Sequence, residues 1–334
     1  MPIKQNVDLA PFNSFGVHNN ALYLAEINNL QDLESALGFA QDQVLPIQLL
    51  GSGSNVLFSQ DFPGLVLHMN MRGIERLDEQ GLVKVACGEN WHEFVMYCLE
   101  EGLYGLENLA LIPGTAGAAP IQNIGAYGVE LEDFFVELEI YDMEIGQCRV
   151  MDKAACEFNY RDSVFKHELN NRAVVLNLTL NLSTTPAPKV EYPALAQELN
   201  TTDPTPAQVF DAVCHIRQSK LPDPAVLGNA GSFFKNPLVS EEKYAALVQD
   251  YGVVPSFPTD DESLVKIPAA WLLETLGWKG VRQHLVGVHE RQPLVLVNYG
   301  GASALDILKL AEDMSASVLD KFGKIERQIQ IDGF

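Results

Sequence analysis

Positive charge is scarce in this sequence: 22 Lys and Arg face 44 Asp and Glu over 334 residues, a formal charge of −22. That balance excludes electrostatic binding to nucleic acid or to an anionic membrane surface. Also missing is any window with the roughly 18 apolar residues of a membrane-spanning helix. The opening stretch MPIKQNVDLAPFNSFG has neither a basic cluster nor an apolar run, so neither export nor anchoring is expected and the reading is a cytoplasmic protein. Cysteine is sparse as well. Cys87, Cys98, Cys148, Cys156 and Cys214 are odd in number and form no CxxC pair, which argues against a disulfide framework or a zinc site and for small buried hydrophobes. The seven histidines are scattered without an HExxH, so no metal site is expected, and His215 in its amphipathic segment reads as structural. No repeat, low-complexity tract or exposed apolar heptad interrupts the chain, and a monomer is expected.

What is present is apolar material, 47% of the residues, enough to exclude disorder, on a length that suits two or three domains. Short apolar strands alternate with amphipathic helices: ALYLAEI, then NLQDLESALGFAQDQ, then PIQLL ending at Leu50. This alternation indicates an α/β or α+β layer architecture. GLVLHM, LVKVA, the helix NWHEFVMYCLEEG, VELEIYD and AVVLNLTLNLS continue it. Prolines cluster at TTPAPKVEYPAL and TTDPTPAQ. Thr205, Pro206 and Gln208 form a capping box with proline at the first helical position, so PAQVFDAVCHIRQSK reads as a helix that stops by Lys220, since Pro222 disfavours helical geometry at Leu221. Beyond lie GNAGSFFKNP, two helices, the strand PLVLVN, a long helix after the Ser303/Asp306 capping pair, and a closing strand IERQIQI, which together suit a βαβ unit.

Three stretches carry chemistry. LLGSGSNVLF puts Gly51, Ser52, Gly53, Ser54 and Asn55 directly after a strand, where backbone amides either form an anion nest or make a plain tight turn. It is not a Rossmann fingerprint, because the third glycine would fall at Val56. LIPGTAGAAPIQNIGAYGVEL holds Pro113, Gly114, Thr115, Gly117, Ala118, Gln122, Asn123, Gly125 and Tyr127. Small residues there let backbone approach a ligand and offer uncharged donors. Two such cradles in a very acidic chain suggest one large phosphoester cofactor. In FNYRDSVFK, Arg161 stands among aromatics and must find an anion, either a protein carboxylate or a substrate carboxylate.

The set LGSGSN, IPGTAGAAPIQNIGAYG, YRDSVFK, KLPDP followed by GNAGSFFKNP, and PLVLVN to IERQIQI resembles the UDP-N-acetylenolpyruvoylglucosamine reductase (MurB) family, in the expected order across nearly the whole chain. With Tyr192 upstream, it is similar to the subgroup that has a tyrosine-bearing substrate loop. The resemblance implies an α+β protein with a two-part, vanillyl-alcohol-oxidase-like FAD-binding module, residues 1–66 and 67–218. A C-terminal α+β substrate-binding domain follows at 219–322, and the strand at about 323–334 possibly returns to the first part. It further implies peptidoglycan precursor synthesis, and with it cell wall biogenesis, cell shape and cell division. In such enzymes NADPH, a co-substrate, reduces FAD, and hydride then passes to the vinyl carbon of UDP-N-acetylglucosamine enolpyruvate. The resulting enolate takes a proton to give UDP-N-acetylmuramate.

Ser232 matches the family's proton donor and Arg161 its carboxylate-binding arginine, while Tyr192, Lys220, Asn236 and Gln292 match substrate positions; the two glycine-rich stretches would hold FAD. One departure stands out. Gln328 occupies the place of the family's catalytic glutamate, and an amide donates a hydrogen bond but cannot release a proton. Glu326, two residues away on the same strand face, is the substitute if the register shifts. The alternative reading is a flavin- and nucleotide-sugar-binding protein with weak turnover. An unrelated FAD oxidase sharing the flavin domains is disfavoured by GNAGSFFKNP.

Overall fold

A computed structural model describes residues 2–332 apart from 202, 258, 260, 262, 325, 326 and 329, and the chain forms two compact units. The first takes the chain up to Asp8, Asn20–Gly53 and Asp61–Ser219; the second takes Leu9–Asn19, Ser54–Gln60 and the chain from Lys220 onward. Helix and strand are mixed in both, as the α+β reading expects.

The first unit carries two large sheets beside the two-stranded ribbon Gly125–Ala126 with Val129–Glu130. One is four-stranded, in the order Ile3–Asp8, Asn20–Ile27, Phe62–Met69, Ile47–Leu50, with the first pair antiparallel and the other pairings parallel. Helix Leu30–Gln43 starts where the Asn29 side chain accepts the Asp32 amide, and it buries Leu33, Ala36 and Ala40. That 3–4 spacing is the apolar stripe legible in the sequence, and it packs with Ala25, Ile27, Leu65 and Leu67 in one core. The other sheet is five-stranded and antiparallel, in the order Gln147–Asp152, Phe135–Asp142, Ala173–Asn181, Leu82–Ala86, Ile74–Arg76. Helices Trp91–Glu100 and Pro206–Lys220 contribute Phe94, Val95, Val209, Val213 and Ile216 to its core. The Thr205/Gln208 box is present in both directions, at 2.9 and 3.3 Å.

The second unit is built on Phe233, Phe234, Leu272, Leu273, Ile307, Leu310 and Met314. Helix Ala304–Lys321 begins with the Ser303/Asp306 capping box and lies among these residues with the small sheet Arg282–Gln283, Val286–Val288, Leu296–Asn298. Here the structure corrects the βαβ reading. Leu296–Asn298 pairs antiparallel with Val286–Val288, whereas the last strand is Gln330–Asp332 and pairs parallel with Val56–Phe58 in a separate sheet. The pairing of Arg327 with Phe234 takes the chain along the Phe233–Phe234 segment first, so the strands before and after the long helix do not share a sheet.

Candidate active site

In the first unit the two glycine-rich stretches meet. A Cβ built on Gly51 would stand 2.7 Å from Thr115 Oγ1, so only glycine allows this approach. The Gly117 amide donates to the Cys87 carbonyl at 2.8 Å, and a Cβ on Gly117 would collide with Cys87. Gly114, at φ +133°, and Pro113 lead into a 3₁₀ run, Ala116–Gln122, which contains Ala118. At its end Gln122 Oε1 is buried with no partner among the described residues. A buried acceptor in a native protein has a donor, and the amide and amino groups of flavin and adenine rings are donors. A buried acceptor without a donor among the described residues, in a stretch of small side chains, therefore fits FAD. Asn123 differs. Its fully buried side chain donates to Glu130, Glu132 and the Asn159 carbonyl and accepts from the Glu132 amide, and its backbone N–H caps the 3₁₀ run, so its backbone carbonyl is what remains to offer a cofactor.

Arg161 sits on a tight turn in which Asn159 and Asp162 exchange backbone hydrogen bonds at 3.1 and 3.0 Å, and its own φ is +54°. The turn docks on the cradle through Ser163 Oγ, which donates to the Ile121 carbonyl at 2.7 Å. Arg161 Nη2 donates to the Gly125 carbonyl, while its Nε is buried without a partner, and among the described residues no carboxylate pairs with the guanidinium. The two readings left open by the sequence therefore separate: the anion that Arg161 needs is not supplied by a described side chain.

A second cation joins it, and sequence reasoning missed it. Arg217 donates from Nε to the Leu111 carbonyl at 3.1 Å and lies close enough to the Tyr127 phenol to feel it electrostatically. Burial pulls its pKa down against the opposing influence of Tyr127, and the nearby Arg161 charge pulls it down further. Two guanidinium groups sharing one region without a described counter-carboxylate make an anion site. Its signal was available: Arg217 is four residues after buried Val213, on the apolar stripe of its helix. Tyr127 meets Tyr192 edge-on, ring centroids 5.4 Å apart, with Tyr192 at the N-cap of helix Pro193–Leu199; burial raises both phenol pKa values.

The 111–114 loop is also held by His92, whose Nδ1 accepts the Leu111 amide at 3.1 Å while the ring stacks on Phe210. Burial lowers its pKa from 6.5, so the neutral acceptor contributes stability above about pH 6.5 that is lost as pH falls through the depressed folded value. Losing this hydrogen bond costs ~1 kcal/mol. Melting curves of the parent and of His92→Phe between pH 7.5 and 5 should therefore converge on acidification; a constant gap would show that His92 stays neutral or holds nothing.

The second unit assembles the other half of the expected site residues. Gly231, at φ +70°, turns the chain so that Ser232 pairs with Val295 and the Phe233 amide donates to the Leu294 carbonyl at 2.7 Å. Phe233 and Phe234 are fully buried and fix this segment, whereas Ser232 is half-buried and its Oγ bonds no described residue. The backbone N–H of Gln328 donates to the Phe233 carbonyl at 2.8 Å, which sets it opposite the residue after Ser232, and its backbone carbonyl accepts from Asn55 Nδ2 at 3.4 Å. Glu326 lies outside the described residues. Gln292 precedes the Leu294–Val295 segment and half-caps it, Oε1 accepting the Leu294 amide at 3.5 Å. Asn236 Oδ1 accepts the Ala269 amide at 2.9 Å, and Lys220 ends its helix exposed to solvent.

Known proteins share this organisation. Residues 21–151 match the FAD binding domain family, and residues 223–331 match the UDP-N-acetylenolpyruvoylglucosamine reductase C-terminal domain. The UDP-N-acetylenolpyruvoylglucosamine reductase of Pseudomonas syringae pv. syringae is 46% identical, covering 97% of this chain and 96% of that one. The enzyme of the same name from Amoebophilus asiaticus is 43% identical over 99% of each. The fold is that of the Thermus caldophilus UDP-N-acetylenolpyruvylglucosamine reductase (MurB) crystal structure, TM-score 0.71 at 21% identity over the full length of both chains. It is also shared with 6-hydroxy-D-nicotine oxidase from Arthrobacter nicotinovorans, TM-score 0.54 at 12% identity over 97% of this chain and 86% of that one. With matching domains at both ends and close to half its residues identical to curated relatives along nearly its whole length, this chain belongs to the UDP-N-acetylenolpyruvoylglucosamine reductase family.

Proposed function

We propose that Ser232 is the proton donor and Arg161 the carboxylate-binding group in the NADPH-dependent reduction of UDP-N-acetylglucosamine enolpyruvate to UDP-N-acetylmuramate. The chain is an FAD-dependent reductase of peptidoglycan precursor synthesis by family. One observation carries the residue-level reading: a half-buried arginine, Arg161, whose buried Nε has no partner and whose guanidinium has no carboxylate among the described residues. An enolpyruvyl carboxylate is the anion such a fork takes bidentately.

FAD, when bound, supplies the redox chemistry, relaying hydride from NADPH to the vinyl carbon. The protein supplies position and charge. Gly51, Ser52, Gly53, Ser54, Asn55, Pro113, Gly114, Thr115, Gly117, Ala118, Gln122, Gly125 and Tyr127, with the backbone of Asn123, would hold the cofactor. Arg161 would stabilise the negative charge that develops as the enolate forms. Ser232 Oγ–H would deliver the proton to the adjacent carbon, and it stands between Gly231, which has no side chain, and the buried Phe233 and Phe234. Tyr192, Lys220, Asn236 and Gln292 would bind the nucleotide half, and Arg217 adds a second cation beside Arg161. Residues 1–66 and 67–218 would form the FAD module and 219–322 the substrate domain, in a cytoplasmic monomer of the tyrosine-loop subgroup serving cell shape and division. No helix among the described residues is long and apolar enough to cross a membrane.

The test runs the two half-reactions apart: NADPH reduces the bound FAD anaerobically, then UDP-N-acetylglucosamine enolpyruvate is added and oxidised flavin absorbance followed. Fast recovery with UDP-N-acetylmuramate formed establishes the reading. Reduction without recovery would leave only the binding protein. Within this mechanism Gln328 needs only to donate a hydrogen bond to the enolate oxygens, so Gln328→Glu should change the recovery rate by less than about tenfold. A gain of several hundredfold would instead mark the parent as crippled at that position.

A further inference from the structure

We infer that Asn108 is a positioning residue that clamps the strap carrying Tyr192 to the turn carrying Tyr127, and so sets the affinity of the site for the nucleotide sugar. The inference rests on the function proposed above. Asn108 is 1% exposed, and its Nδ2 donates to the Tyr127 carbonyl at 3.0 Å and to the Lys189 carbonyl at 2.9 Å. Both amide hydrogens thus bridge two segments that are 62 residues apart in sequence by their numbering, 189 − 127. Neither segment is regular structure at the bond: Tyr127 is left-handed at φ +51°, and Lys189 lies in the proline-rich stretch before helix Pro193–Leu199.

Val190 and Tyr192 of the strap also pack against the core. Lys189 Nζ pairs with Asp133 at 3.0 Å, but both side chains are partly in solvent, where such pairs contribute little. The edge-on contact of Tyr127 and Tyr192 is the one that concerns the site, and it is made three residues beyond the clamped carbonyl. A buried side chain that donates to two carbonyls at once is hard to replace: an alanine removes both donors, and an aspartate adds a charge that repels the carbonyls. Holding Tyr192 before the ligand arrives removes an ordering cost from binding, which is an effect on KM more than on kcat.

The clamped carbonyl is itself the acyl side of the Lys189–Val190 bond, which gives a readout separate from activity. An exposed lysine in an irregular stretch is ordinarily an early tryptic site. In the unaltered holoenzyme Lys189–Val190 should instead resist trypsin, and Asn108→Ser should speed cleavage there about tenfold while other sites keep their rates. In turnover, Asn108→Ser should raise the nucleotide-sugar KM about tenfold with FAD content unchanged. Combined with Tyr192→Phe, it should raise KM no more than the larger single effect. Early cleavage at Lys189 in the parent, or KM effects that simply multiply, would overturn the clamp. A parent that resists cleavage at Lys189 and yet never oxidises with the nucleotide sugar would overturn the function while leaving the clamp standing.

Discussion

Ser232→Ala should slow the recovery of oxidised flavin after addition of UDP-N-acetylglucosamine enolpyruvate by ~10²- to 10⁴-fold, the range that general acid help supplies. Reduction by NADPH in the first half-reaction should be nearly unchanged, because no proton is delivered to the sugar there. The structure makes this a clean deletion. Ser232 Oγ bonds no described residue, and the segment is fixed by backbone pairing to Leu294 and Val295 and by two buried phenylalanines. Removing one half-buried oxygen therefore leaves packing and melting temperature as they were, within the roughly ±0.5 kcal/mol of a surface change. Ser232→Cys, which keeps an ionisable hydrogen on a larger atom, should recover part of the rate. Recovery in the alanine variant at the parent's rate would remove Ser232 from the chemistry and leave it as the hydroxyl of a tight turn.

Much of the scaffold was legible before any coordinates. Strand Asn20–Ile27, helix Leu30–Gln43 and helix Pro206–Lys220 follow from local patterns: alternation, a 3–4 stripe, a cap with proline after it. Each is decided by residues within one or two turns of the chain, so a single sequence suffices. The glycine-rich stretches were readable as places of close approach for the same reason, although only the fold shows that Gly51 approaches Thr115. What the sequence could not show is pairing at a distance. The closing strand aligns with Val56–Phe58 and not with the strand before the last helix, because Phe234 and Arg327 pair on the way. Asn123 read as an uncharged donor for a ligand, yet its side chain is engaged by Glu130, Glu132 and Asn159, none of them predictable from its neighbours' identities. Arg217 carries one local sign, a cation on the apolar stripe of its helix, and Asn108 carries none. Their roles arise from carbonyls of Leu111, Tyr127 and Lys189, and backbone groups leave no trace in composition.

Arg161→Met should lower the rate of the same second half-reaction by ~10²- to 10³-fold, as removal of one charge-stabilising group from a developing oxyanion does elsewhere. It should do so without loss of stability, and that combination separates the two roles an arginine can play here. Had Arg161 been half of a buried ion pair, removing it would strand a carboxylate and cost ~3–5 kcal/mol. Instead the guanidinium is itself the stranded group: among the described residues it has one hydrogen bond, to the Gly125 carbonyl, its buried Nε has no partner, and Arg217 stands nearby as a like charge. A methionine of similar length removes a desolvated charge and the repulsion with Arg217, so the unliganded protein should melt at the same temperature or higher. Arg161→Lys tests the geometry, since it keeps the charge but loses the planar fork, and it should fall between parent and methionine. Chloride and other simple anions should inhibit the parent competitively with the nucleotide sugar and affect the methionine variant less. A methionine variant that melts several degrees lower and turns over normally would mean that Arg161 is a brace for the Asn159–Asp162 turn and that the carboxylate is bound elsewhere.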